Sequence, residues 1–365
     1  MHIAFLIRSL SPGGAERATT SLANEMHRYG HTVTILCMTG SKSFYDVEDG
    51  IIIRYLNMKS AEAESGVKRL LDLWNRSRII RRIVCQIRPD VLVGMSWMMS
   101  VYAALCQGAA ATVTVGTERS NPFVLNECFI NSMLRRFAAE RCSGFVCQTE
   151  KARSFFPKRT QKKIRIIQNG VFNPEVYFTS VPNSRDLTVT ALGRLDHNKG
   201  FDVLLDAFAQ VHRSHPQYEL LIYGDGELRQ ALQQQADALQ LHDSVRFCGA
   251  DPMAIHKVAA SSVFVLSSRS EGMPNALIEA MAAGVPCVST RCEMGPEELI
   301  EDGVNGLLVP VDDAGAMSAA ICRILENSQL SDSLSSASLM IRNTHDPAAI
   351  AGEWINYFAS LLPSC

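Results

Sequence analysis

The chain has 365 residues, 35 Lys+Arg against 37 Asp+Glu, a formal charge of -2 and 47% hydrophobic residues. At roughly 100–200 residues per domain, this length suits two domains, each able to bury its own core. Charged residues at 20% and aromatics at 7%, with no low-complexity tract, exclude intrinsic disorder, collagen and coiled coil.

In chain order, the short apolar run Ile3–Ile7, closed by Arg8, predicts a strand and lacks the pattern of a signal peptide. Gly14–Tyr29 has helical spacing and stops at Gly30. Val33–Cys37 predicts a second strand, and Val67–Ile87 a long basic helix ended by Pro89. Val91–Thr117 runs for 27 residues without a charge. Gly94, Ser96, Ser100, Gln107, Gly108 and Thr112 interrupt it too often for a spanning helix of ~20 apolar residues. Its ends, Val91–Val93 and Thr112–Val115, read as buried strands around a short helix. A helix over Phe123–Arg141 and strands at Phe145–Cys147 and Ile164–Ile167 follow, so the first half predicts a parallel sheet covered on both faces.

The polar stretch Thr179–Ser184 marks the expected domain boundary, with residues 1–180 on one side and 181–365 on the other. The alternation then restarts with strands at Leu187–Leu192, Leu220–Tyr223, Val263–Leu266 and Val285–Val288. A helix carries Phe201, Leu204, Leu205, Phe208 and Val211 on one face. The fold class is therefore α/β, with two doubly wound parallel-sheet domains in tandem and a ligand cleft expected between them. The last helix is expected to pack back on the first domain.

Charge is divided unequally. Residues 1–180 carry 24 Lys+Arg and 14 Asp+Glu, or +10; residues 181–365 carry 11 and 23, or -12, and the two sum to -2. The basic face around Arg76–Arg88 suits an anionic membrane surface, with a solvated helix face as the alternative. No nucleic-acid motif is present and the second half is acidic, which argues against nucleic acid as a partner. The 11 cysteines are scattered without a Cys-x-x-Cys pair, so a zinc site or disulfide framework is not expected and a cytoplasmic setting is.

Three segments carry chemistry. Pro12-Gly13-Gly14 joins the first strand to the first helix, where glycine lets an anion approach the helix amino terminus. Gly193-Arg194-Leu195-Asp196-His197-Asn198-Lys199-Gly200 is the equivalent turn of the second half, with two cations suited to a diphosphate. His197, alone in that loop, is read as exposed. Glu271-Gly272-Met273-Pro274-Asn275-Ala276-Leu277-Ile278-Glu279 follows a strand and opens a helix. Its carboxylates suit sugar hydroxyls and the N–H groups of Asn275 to Leu277 suit phosphate. Met95, Trp97, Met98 and Met99 are read as packing residues rather than a lipid groove.

Together the Glu-x7-Glu segment, the Gly-Arg-Leu-x4-Lys-Gly turn and the amino-terminal Gly-Gly-Ala-Glu-Arg resemble glycosyltransferase family 4, retaining enzymes of the GT-B fold, over nearly the whole chain. Ser9–Arg17 and the Thr-Glu-Arg-Ser-Asn-Pro stretch at 117–122 look most like bacterial enzymes that build lipid-linked glycans. The resemblance implies a hexosyltransferase using a UDP-sugar donor and a polyprenyl diphosphate-linked acceptor in O-antigen or capsule synthesis, peripheral on the inner face of the plasma membrane. It implies that Arg194 and Lys199 hold the donor diphosphate in place of a metal, so no metal and no cofactor is expected. Glu279 would hold the ribose, and Glu271 the sugar hydroxyls with help from Asn275, Ala276 and Leu277. Gly13 and Gly14 would close over the diphosphate. Many family members carry a histidine where this chain has Thr117-Glu118-Arg119; here Glu118 or Arg119 would contact donor or acceptor, Glu118 either as a base or in a structural salt bridge. A nucleotide-sugar epimerase of the same fold and a non-catalytic partner of a membrane glycosyltransferase are the alternatives.

Overall fold

A computed structural model of the chain describes residues 1–58, 67–123, 129–172 and 185–363. The boundary expected within Thr179–Ser184, and residues 124–128 of the helix expected over Phe123–Arg141, lie outside the described residues. The chain divides into two compact units, Met1–Gly170 with Pro347–Cys365, and Val171–Asp346.

The first unit is built on β1 (His2–Ile7), β2 (Thr32–Cys37), β3 (Ile52–Tyr55), β4 (Val91–Gly94), β5 (Val113–Glu118), β6 (Gly144–Cys147) and β7 (Ile164–Ile166). All pair in parallel, in the order β3-β2-β1-β4-β5-β6-β7. Helix α1 (Gly14–Arg28) follows β1, α2 (Val67–Ile87) precedes β4, α3 (Trp97–Leu105) joins β4 to β5, and α4 (Phe129–Arg141) precedes β6. The uncharged stretch is thus β4, α3 and β5, with both strands buried and the turn at 107–111 partly exposed. Ser96 caps α3 by accepting from the Met99 N–H, and the Ser100 hydroxyl accepts from the Thr117 N–H at 2.7 Å, tying α3 to the end of β5.

The chain re-enters this unit at Pro347, and helix Pro347–Leu361 packs on α1. Trp354 and Phe358 join the core formed by Phe5, Ile35 and Val93. The Tyr357 hydroxyl accepts from the Phe145 N–H at 2.9 Å and donates to the Lys163 carbonyl at 3.0 Å, so it holds β6 and β7. Trp354 is 2% exposed, and Trp354→Ala is expected to destabilise the first unit by about 3–5 kcal/mol, read as a lowered urea midpoint.

The second unit contains β8 (Asp186–Leu192), β9 (Glu219–Tyr223), β10 (Val245–Gly249), β11 (Ser261–Leu266), β12 (Cys287–Thr290) and β13 (Leu307–Val309), parallel, in the order β10-β9-β8-β11-β12-β13. Helices Phe201–Ser214 and Ala314–Glu326 cover one face through Leu204, Phe208 and Ile321, and helix Asn275–Ala282 covers the other through Leu277, Ile278 and Met281. The strand expected at Val285–Val288 begins two residues later. Val285 still donates to the Ala280 carbonyl at the end of a helix, and Pro286 has no N–H for a ladder.

Val171 and His345, near the two ends of this unit, are joined by the Val171 N–H donating to the His345 carbonyl at 2.8 Å. Burial lowers the His345 imidazole to about 4, against roughly 6.5 in an unfolded chain. As pH falls, the unfolded chain therefore takes up the proton first. Stability is full above about pH 6.5 and declines until about pH 4, by an amount on the order of 3 kcal/mol. In His345→Leu this part of the pH dependence should disappear from denaturant titrations of the second unit.

Candidate functional site

In a parallel sheet the point where strand order reverses leaves a crevice at the carboxyl ends. In the second unit that point lies between β8 and β11, which are neighbours although β9 and β10 intervene in the chain. The loop after β8 is Gly193–Gly200 and the loop after β11 runs from Ser267 to Pro274, so the two informative segments leave adjacent strands at the same end.

Several contacts staple the two loops. The Ser267 hydroxyl donates to the Lys199 carbonyl at 2.8 Å, and the Arg269 N–H donates to the Asn198 carbonyl at 2.7 Å. Gly200 sits at φ +61, and a Cβ there would lie 2.2 Å from the Ser267 carbonyl oxygen, so only glycine allows this approach. Within its own loop, Asp196 accepts from the Asn198 N–H at 3.0 Å and from Arg194 Nε at 2.6 Å.

The result is a polar cluster. Lys199 Nζ donates to Glu271 Oε1 at 2.6 Å, and the Ser268 hydroxyl donates to the same oxygen at 2.6 Å. The Glu271 side chain is 8% exposed and that of Lys199 25%. Arg194 leaves the same loop with its side chain 73% exposed and its Nε on Asp196. Glu279 is buried on the helix that follows, while Asn275 and Ala276 at its start are half-buried. The Leu277 N–H is bonded to the Pro274 carbonyl at 3.0 Å, which turns it away from the anion-binding task expected of it.

Arg269 had no motif to mark it, yet it orders the loop beside it. Its guanidinium forks onto both oxygens of Asp202 at 2.9 and 2.6 Å, reaches Asp312 at 2.6 Å through Nε, and donates to the His197 carbonyl at 2.8 Å. Its partner is marked electrostatically. Burial alone would raise the Asp202 carboxyl, but hydrogen bonding and charge from Arg269 hold it below the ordinary range. His197 contributes only its carbonyl here; its side chain is exposed.

In the first unit the expected residues follow β1 and β5. Gly13 caps α1, and a Cβ on it would lie 2.3 Å from Glu16 Oε2. Glu16, in the first turn, folds back over the helix start like the acidic half of a capping box, so this helix end already faces a carboxylate of the chain. Gly14 is the first helical residue. Glu118 ends β5 inside the unit. One oxygen is paired with Arg135, whose guanidinium stacks on Trp97 at 4.6 Å, and the other accepts from the Ser120 hydroxyl at 2.7 Å. Of the two roles open to Glu118, this geometry is that of the structural ion pair. Arg119 is half-buried, donates to Asn169 and lines a small recess with Ser21, Gln168 and Trp354. Burial lowers it to about 10, against the pull of Glu16, so it stays cationic at neutral pH. Met95 and Met99 are buried as packing residues.

Residues 12–172 match the family model described as Glycosyltransferase Family 4, and residues 186–327 match the one described as Glycosyl transferases group 1. An uncharacterized glycosyltransferase of Haemophilus influenzae is 26% identical over 355 residues, covering 96% of this chain and 98% of the relative. A Campylobacter jejuni alpha-1,4-N-acetyl-D-galactosaminyltransferase, named for a diNAcBac-PP-undecaprenol saccharide, is 26% identical over 363 residues and 99% of each chain. Among solved structures, that of Anabaena HepE in complex with UDP and glucose aligns with a TM-score of 0.79 at 21% identity, over 98% of this chain and 99% of that one. That last likeness is one of fold, and it agrees with the two all-parallel sheets. With both units matched, one by each model, the chain belongs to glycosyltransferase family 4 and is a glycosyltransferase of the GT-B fold.

Proposed function

We propose that the chain is a retaining, metal-independent glycosyltransferase. It moves a hexose or N-acetylhexosamine from a UDP-sugar onto a polyprenyl diphosphate-linked saccharide, in bacterial surface polysaccharide synthesis at the inner face of the membrane. The observation that carries the reading is the cluster of Lys199, Glu271 and Ser268 at the β8/β11 crevice, with the exposed Arg194 on the same loop as Lys199. The Campylobacter relative's undecaprenol diphosphate substrate supports the acceptor class. No helix among the described residues is long and apolar enough to cross a membrane, which suits attachment to its surface.

Sugar transfer breaks the bond between C1 and the donor phosphate, and both electrons leave with the diphosphate. A preorganised cation at that phosphate lowers the barrier because it faces charge that grows in the transition state. Lys199, held in place by Glu271, is such a cation, and Arg194 is a second; together they supply the charge that a divalent ion brings elsewhere. Glu271 keeps an oxygen for sugar hydroxyls, and Glu279 is assigned to the ribose. Glu118, already paired with Arg135, takes no part in proton transfer and instead positions the end of β5.

Purified protein offered UDP- and GDP-sugars, with and without a polyprenyl diphosphate-linked sugar, is expected to release UDP only when acceptor is present, and to do so in EDTA. Lys199→Ala and Glu271→Ala should each lower kcat by about 10²–10³-fold with the fold intact. Full activity in both variants would overturn the site, and acceptor-independent donor conversion would replace the transferase reading with an epimerase. A separate expectation concerns Arg269. Arg269→Lys keeps the charge but loses the fork onto Asp202, and should lower kcat roughly tenfold, equivalent to about 1.4 kcal/mol, by loosening the Lys199 loop.

A further inference from the structure

More than half of the exposed large apolar side chains among the described residues fall between positions 71 and 137, on or next to α2 and α4. Phe129 is 78% exposed, Met133 56% and Phe137 39%, and their spacing of four places them on one stripe of α4, with Ile130 beside it at 50%. On α2, Leu71 and Trp74 are each 55% exposed. In the second unit the exposed apolar residues, Leu187, Met253, Val304 and Met340, are scattered singly, as is normal for a protein surface.

Both helices pack on α3, so they flank one helical layer of the sheet. A helix that precedes a parallel strand runs opposite to it. The first turns of α2 and α4 therefore lie at the carboxyl ends of the strands, where Leu71, Trp74, Phe129, Ile130 and Met133 are found. The fringe is basic: Arg78, Arg81, Arg82, Arg136 and Arg141 are exposed, and Arg78 stacks on Trp74 at 4.6 Å. The acidic side chains there are already matched, Asp72 by Arg76 and Glu140 by Arg159.

We propose that this α2/α4 face seats on an anionic bilayer surface. Phe129, Met133 and Phe137 enter the boundary between headgroups and acyl chains, and the arginines meet the lipid phosphates. A second copy of the chain is the poorer occupant. A two-fold contact through this face would set each arginine fringe against its own like, whereas an anionic surface complements both the charge and the apolar stripe. The proposal takes from the lipid-linked acceptor reading only that such a substrate resides in a bilayer.

The test is flotation of the full chain with phosphatidylcholine vesicles, with and without phosphatidylglycerol, all free of acceptor. The wild type should float with the anionic vesicles only, and less at high salt. Flotation should fall at least about tenfold in Phe129→Asp/Met133→Asp, and comparably in Arg82→Glu/Arg136→Glu. Unchanged melting and UDP binding would show that the variants are folded. A wild type that stays unbound, or variants that float as it does, would overturn the proposal. So would a dimer in light scattering that Phe129→Asp/Met133→Asp dissociates. Lost flotation with transfer to a water-soluble acceptor intact removes the membrane face and leaves the transferase; flotation without transfer does the reverse.

Discussion

The second unit's site depends on β8 and β11 lying side by side. Parallel pairing of Val189 and Thr190 with Val263 and Phe264 places the next residues of both strands at one edge of the sheet, and every contact between the Lys199 loop and the Glu271 loop follows from that register. The ion pair is close because backbone-level bonds bring the loops together first, through Ser267, Arg269 and the left-handed Gly200. A lysine on a free loop would lose most of its electrostatic effect to solvent. Held at a quarter exposure against a buried carboxylate, it is oriented before any ligand arrives.

The first unit shows the opposite use of charge. Glu118 and Arg135 are sealed together inside the unit, beneath Trp97, and removing either partner would strand the other at a cost of about 3–5 kcal/mol. This pair fixes the end of β5 relative to α4. Arg119, the next residue, is thereby directed to Asn169 and the recess beside Trp354, close to where the chain re-enters the unit at Pro347. Neighbouring residues of opposite charge thus have unrelated tasks. Glu118 belongs to the packing of the sheet, and Arg119 remains a cation near the surface of its unit.

Much of the fold was legible because interior strands of a parallel sheet are buried on both faces and appear as short unbroken apolar runs. Ile3–Ile7, Val91–Val93 and Val263–Leu266 are of this kind, and each lies within an observed strand. The strands that escaped sequence reading, Ile52–Tyr55, Val245–Gly249 and Leu307–Val309, all lie at sheet edges. The first two alternate buried or half-buried residues with exposed ones, so neither carries the apolar run that marks an interior strand; the third, Leu-Leu-Val, is an apolar run as short as Val91–Val93. The Cys287–Thr290 strand was misplaced by two residues for a local reason, the proline at its entry.

By itself the sequence determined the fold class and the family, and it marked the two loops that make up the candidate site, since apolar periodicity and glycine-bounded motifs are local properties of the chain. Tertiary structure alone decided which of the charged residues act together. Lys199 meets Glu271 across 72 positions, Arg269 reaches Asp202 across 67, and Glu118 finds Arg135 rather than the adjacent Arg119. Such pairings are set by strand order and helix packing, and no spacing along the chain encodes them. The same holds for the exposed stripe on α4: the sequence predicts a helix there, and only the packed helical layer shows that Phe129, Met133 and Phe137 stay exposed.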